Sequence, residues 1–286
     1  MRRLLIALAL VLLAAGAFAG DHSHSYTSND DGDDCSGRHF RFNGHRAFVA
    51  EETIEAGNLA SLKVTSENSP VSVRGGNARG YTITVCKAAE LAEDLNDIRV
   101  TVTGGELRAS GPSNSDWTVS YRIAAPDRAN VNVEARNGPV AFRDLNGTLV
   151  ARLTNGPVSL KDVDGEVDVT TKNGPVSLEG GSGNIKLRAT NGPLSVRLGG
   201  ASFDGTLDAT TDNGPLSVRV PRGYGSGVVV EARGRGPLSC SADECAGMRR
   251  FLDDDDDDAP RRVELGRGPE NVHLSTVNGP VTIRQE

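Results

Sequence analysis

Gly20-Asp21-His22 is the first stretch able to do chemistry, provided the chain is cut after Ala19. The mature amino terminus then offers a free amine, two deprotonable backbone amides and an imidazole at position three. Four nitrogens in a plane suit Cu(II) or Ni(II), and His24 stands close enough to assist. Two acidic runs, residues 30–34 and 253–258, could attract Ca²⁺. Calcium wants six to eight oxygens in a defined cage, and neither run spaces its carboxylates as an EF-hand or a Gly-rich nonapeptide does. Both read as solvated, self-repelling segments.

A further set of charges recurs with a period. Arg143, Lys161, Glu179, Arg197 and Arg219 fall at matching places in successive segments, so Arg143, Lys161, Arg197 and Arg219 form a candidate basic stripe for an anionic ligand. Like charges on neighbouring strands repel unless something compensates them, and Glu179 in the middle is the compensation at hand. Carbohydrate-active enzymes on β-helices need clustered carboxylates or an Arg/Lys base in a cleft. Here the charges are scattered, and of five His residues His22, His24 and His39 lie near the start. No catalytic residue and no resident cofactor is assigned.

The elements that position these charges are legible. Asn-Gly-Pro followed by Val or Leu starts at Asn137, Asn155, Asn173, Asn191, Asn213 and Asn278, and the first four steps are 18, 18, 18 and 22 residues. The motifs are Asn137-Gly138-Pro139, Asn155-Gly156-Pro157, Asn173-Gly174-Pro175, Asn191-Gly192-Pro193, Asn213-Gly214-Pro215 and Asn278-Gly279-Pro280. A fixed short period with strand-like content predicts an all-β, single β-solenoid of stacked two-strand coils. In one coil, residues 157–160 alternate apolar and polar, Val163-Asp164-Gly165 turns, and residues 166–171 alternate again. A hairpin meander would produce the same pattern, and the in-register copies favour parallel stacking.

Aligning the copies predicts three inward columns. They are Val140, Val158, Val176, Leu194, Leu216, Leu238 and Val281; Phe142, Leu160, Leu178, Val196, Val218, Cys240 and Ile283; and Leu149, Val167, Ile185 and Leu207. Between the first two lie Ala141, Ser159, Ser177, Ser195, Ser217, Ser239 and Thr282, expected to face solvent. Facing sheets lie about 10 Å apart, and aromatics make up only 4% of the chain, as a core so thin requires. Gly supplies the turn conformation, Pro opens the strand without a donor, and the Asn amides can bond from coil to coil.

Met1-Arg2-Arg3, an apolar run and Ala17-Phe18-Ala19 read as a signal peptide over residues 1–19. No later segment offers a transmembrane span. The net charge of −7 gives no reason to expect a nucleic-acid partner. In an exported chain four cysteines make two disulfides the default, and short spacing pairs Cys240 with Cys245, leaving Cys35 for Cys86. Residues 20–45 read as a flexible leader, 46–136 as an irregular N-terminal part of the solenoid containing a degenerate copy from Asn68, and 137–286 as regular coils. A short helical excursion is expected near residues 88–96. Residues 241–261 read as an acidic loop insertion, since leaving them out restores the register between Arg235 and Asn278. Since the chain stops three residues after Ile283, its last strand is expected at an open edge.

Tyr121-Arg122-Ile123-Ala124-Ala125-Pro126, then Asn130-Val131-Asn132-Val133 and the Asn-Gly-Pro coils, give a layout that resembles the bacterial putative-adhesin family of β-strand-repeat envelope proteins. The resemblance spans roughly residues 46–286 and implies a solenoid in or beyond the envelope, without catalytic residues. The resulting expectation is an exported, non-catalytic adhesin-like binding or structural protein of the periplasm, cell surface or medium. Its partner would be an anionic glycan, another envelope polymer or another protein. The alternatives are a carbohydrate-active enzyme on a β-helix scaffold and a metal-binding secreted scaffold. For the amino-terminal site, Cu(II) titration of the mature chain is expected to give a one-to-one visible band. The band should vanish in His22→Ala and fade in acid as the ligands protonate; its retention in His22→Ala would place the copper elsewhere.

Overall fold

The computed structural model describes residues 25–27, 35, 39–247 and 261–286 of the chain. The signal segment, Gly20-Asp21-His22, His24, most of the leader and both acidic runs lie outside the described residues. The architecture is all-β; the described helices are two 3-10 turns, Glu93–Asn96 and Asp243–Gly247. The first falls within the expected excursion. No helix among the described residues is long and apolar enough to cross a membrane.

Successive repeats pair side by side, parallel and in register. Val140 stands beside Val158, Val158 beside Val176, Val176 beside Leu194 and Leu194 beside Leu216. The second halves repeat this, from Leu149 beside Val167 to Ile185 beside Leu207. A meander would be antiparallel, so that alternative is excluded. The two ladders turn their apolar columns onto one core: Val140, Phe142, Leu149, Leu160, Val167, Leu178, Ile185, Val196 and Leu207 are all buried. The intervening hydroxyl row is exposed or half-exposed, as alternation on a strand demands.

The corners are held by contact between backbones. A Cβ on Gly156 would lie 2.3 Å from the carbonyl oxygen of Gly138, on Gly174 2.1 Å from that of Gly156, and on Gly192 2.1 Å from that of Gly174. Gly138, Gly156 and Gly174 also have positive φ, but Gly192, Gly214 and Gly279 do not. Close approach, more than turn conformation, is therefore what excludes a side chain at these three. A second glycine column at the opposite corner, Gly147, Gly165, Gly183 and Gly205, is equally tight, at 2.2–2.3 Å. Beside the first column the Asn amides form an unbroken ladder from Asn278 through Asn213, Asn191, Asn173, Asn155 and Asn137 to Asn68, with each Nδ2 donating to the next Oδ1 over 2.7–3.1 Å.

At the amino-terminal end the degenerate copy joins the same ladders: Val71 pairs with Val140, and Leu62–Ser66 pairs with residues 131–135. The long strand Val71–Ala89 doubles back, so residues 71–74 and 82–89 flank Trp117–Pro126 on either side. Phe48–Gly57 borders residues 81–89 antiparallel. Cys35 is bonded to Cys86, with Cα atoms 5.5 Å apart, and a small cluster of Phe40, Phe42, Ala47 and Ala88 packs around the bridge on the outer face.

The carboxy-terminal end corrects the expected order. Leu216 pairs with Val281, and Val281 in turn with Leu238. The final coil, Glu270–Thr276 and Val281–Gln285, therefore slots between the coil of Asn213 and the coil of Arg235, and its strand is internal. Gly227–Ala232 lies parallel to Glu270–Thr276 and carries Arg261–Leu265 antiparallel on its other side. Leu238 and Cys240 are consequently only half-buried, because they occupy the outermost position. Cys240 is bonded to Cys245, which is buried. Spacing shows that copies are equivalent; it does not show which one stacks next.

Gly192→Ala, at a φ that permits alanine, is expected to cost about 1–3 kcal/mol, while outward Ser177→Thr stays within about 0.5 kcal/mol. Equal losses in denaturant titrations would overturn the assignment of inside and corner. Burial raises the Tyr224 phenol to about 12, above its ordinary 10.0, and its buried hydroxyl has no hydrogen-bond partner among the described residues. The folded state thus favours the neutral phenol: the stability it contributes is intact below pH 10 and lost as pH rises through 12. Tyr224→Phe should soften that alkaline loss and cost little at neutral pH. Tyr81→Phe should cost about 1 kcal/mol at neutral pH, because the Tyr81 hydroxyl donates to the Asn130 carbonyl at 2.9 Å and accepts its amide at 3.1 Å.

Candidate functional site

The charged row stands where alternation puts it, on the outward face one residue beyond the second inward column. Arg143, Lys161, Glu179, Arg197 and Arg219 are register partners in turn, and the row runs on to Arg74 at one end and Arg284 at the other. Strands lie about 4.8 Å apart, so uncompensated neighbours would repel. Compensation is extensive. Lys161 meets Glu179 at 3.7 Å, Arg197 and Arg219 share Glu286 at 3.3 and 3.0 Å, and Arg74 meets Asp144 at 3.4 Å. These pairs are solvent-exposed and each adds little stability, but in the middle of the stripe Glu179 and Glu286 offset most of the charge of Lys161, Arg197 and Arg219.

Beyond Arg143 the face changes. An open groove of about 700 Å³ is lined by Ser72, Arg74, Arg122, Ala124, Arg143 and neighbouring residues. It arises from local sequence. In Trp117–Pro126, Tyr121 and Ile123 are buried, which turns Arg122 and Ala124 outward. Ala124 stands beside Arg74 and Thr82, and Arg122 beside Ser72 and Thr84. A methyl group where the row elsewhere has a long side chain leaves a hollow, and the turn Gly75-Gly76-Asn77-Ala78 closes one end. Three guanidiniums border this hollow. Arg122 is the most enclosed, with 19% of its side chain exposed and Glu51 at 3.8 Å. Each guanidinium presents a planar fork of N–H donors matched to carboxylate or phosphate oxygens. Thr82 and Thr84 add hydroxyls along the same wall.

Of the residues singled out from sequence, Arg143 therefore belongs to the groove, whereas Lys161, Arg197 and Arg219 lie along the largely compensated row. The Asn-Gly-Pro corners are structural. Gly20, Asp21 and His22 lie outside the described residues. Among the described residues, one group of metal-type ligands comes together, Cys35, Glu51 and Cys86, and its sulfurs are joined in the disulfide. Glu51 instead accepts the Cys35 amide at 2.9 Å. Sequence reading missed Arg74, Arg122 and Glu286. Arg122 carried a usable signal, a charge between two buried apolar residues, but its partners Ser72 and Thr84 come from a non-repeating stretch.

No family model matches the chain, and no curated protein sequence matches it. Solved structures to which it is similar include a putative cell adhesion protein from Clostridium sporogenes, with 11% identity over 84% of this chain and 100% of that one and a TM-score of 0.29. A putative adhesin from Bacteroides fragilis has 10% identity over 84% and 97%, with a TM-score of 0.36. A putative lipid binding protein from Parabacteroides distasonis has 12% identity over 83% and 96%, with a TM-score of 0.29. The first two names are those of the family that the sequence resembles. Likeness at these scores carries no argument, and the reading below stands on the residues.

Proposed function

We propose that the chain is an exported, non-catalytic β-solenoid, an adhesin-like binding or structural protein of the cell envelope, whose arginine groove takes the acidic groups of an anionic glycan. The solenoid reading is supported by two parallel ladders in which each regular repeat pairs with the next and both share one core. In this reading residues 46–136 are its irregular amino-terminal part and 137–286 its coils. Export is supported by the signal-like start and by two disulfides, which persist in oxidising compartments. The observation that carries the binding function is the convergence of Arg74, Arg122 and Arg143 on one open groove of a chain whose net charge is −7. A local basic site on an acidic protein selects its ligand, since long-range attraction does not help it.

The test is calorimetric titration with polygalacturonate against neutral dextran. The expected result is binding of the polyanion alone, weakened by added salt. Arg74→Gln/Arg143→Gln, changes at an exposed and a half-exposed position, should weaken it by about tenfold or more, as loss of charge-assisted bonds does. Equal binding of dextran, or an unchanged affinity in the double variant, would sink the proposal.

A further inference from the structure

A second cavity, separate from the arginine groove, lies at the end of the asparagine ladder. It measures about 460 Å³ and is lined by Asn68, Ser115, Trp117, Arg108 and neighbouring residues. The size falls within the range of small-molecule pockets. Trp117 is the one tryptophan of the chain. Its indole N–H donates to the Pro112 carbonyl at 3.0 Å, and Gly111 lies so close that a Cβ there would sit 2.4 Å from the ring. The ring is thus fixed before any ligand arrives, with part of its surface lining the cavity.

The ladder gives this cavity a direction. All six amide bonds point the same way, so every Asn from Asn213 to Asn137 both accepts and donates. At Asn68 the Oδ1 accepts from Asn137 at 2.7 Å, while Nδ2 has no acceptor among the described residues. Aligned hydrogen bonds polarise one another, which makes this terminal N–H a stronger donor than a lone amide. The natural complement is one more amide carbonyl. In the same wall the Ser115 hydroxyl oxygen is buried without a partner among the described residues, a group that calls for a water.

We propose that this cavity binds an N-acetylated sugar: its acetamido carbonyl accepts from Asn68 as the next rung of the ladder, and its apolar face lies on Trp117. An aromatic platform with a few convergent polar groups is what a pyranose needs, because one ligand carries both kinds of surface. The site does not depend on the arginine groove.

The single tryptophan makes the test specific. Emission of the full chain is followed while N-acetylglucosamine is added, with glucose as the probe lacking the acetamide. The expected result is a saturable change with N-acetylglucosamine, and about tenfold weaker binding of glucose, the worth of one hydrogen bond. Asn68→Asp keeps the oxygen that accepts from Asn137 and removes the donor, so it should abolish the preference while melting like the parent. If the variant fails to fold, the parent's discrimination between the two sugars decides alone. Equal responses to the two sugars, a preference retained in folded Asn68→Asp, or no emission change would each overturn the proposal. None of these outcomes bears on polyanion binding by Arg74 and Arg143.

Discussion

The molecule depends on backbone touching backbone at its corners. From Gly138 onward, one glycine stands over the carbonyl of the previous one with no room for a methyl group. This contact fixes the register of neighbouring coils, because sliding one strand by a single residue would place a Cβ where the next carbonyl sits. The longer step between Asn191 and Asn213 keeps both corners, pairing Gly183 with Gly205 and Asn191 with Asn213, and places its additional residues between the strands Leu194–Arg197 and Gly205–Asn213. With the corners locked, the amide ladder, the buried columns and the outward hydroxyl row follow from alternation alone.

Repetition of this kind constrains where binding can occur. Whatever stands on one coil stands again on the next at strand spacing, so a charge useful once becomes a line of repelling charges. The row from Arg143 to Arg219 meets that difficulty with Glu179 inside the repeat and Glu286 from outside it. Both candidate cavities lie instead where repetition fails, on the strand Trp117–Pro126 and its neighbours. Ala124 in the arginine row and Trp117 near the end of the asparagine ladder are interruptions, and the interruptions make the concave surfaces.

What could be read from sequence divides along the same line. The inward columns, the outward serines and the amide ladder were legible because each is a local rule copied several times. Both cysteine pairs were legible, the close one from its spacing and the other by remainder. The meaning of the glycines was half legible: the need for glycine was plain, but at Gly192 the reason is a neighbour 18 residues away and not its own φ. The placement of Arg122 beside Ser72 and Thr84 was not legible, because it rests on a doubled-back strand with no second copy to align. Neither was the order of the last two coils, since Arg235 and Asn278 offer equivalent edges to the same growing stack.

The internal position of the final coil bears on how the protein is made. The residues that join the coil of Asn213 to the coil of Arg235 come after both of those coils in the sequence. The coil of Arg235 comes earlier in the sequence, yet its inner side has no neighbour until residues 270–285 are in place. A simple repeat stack can grow coil by coil behind the emerging chain. This one can settle its regular coils in that way, but the coil of Arg235 cannot dock until residues 270–285 have taken their place, so the far end closes in a single step.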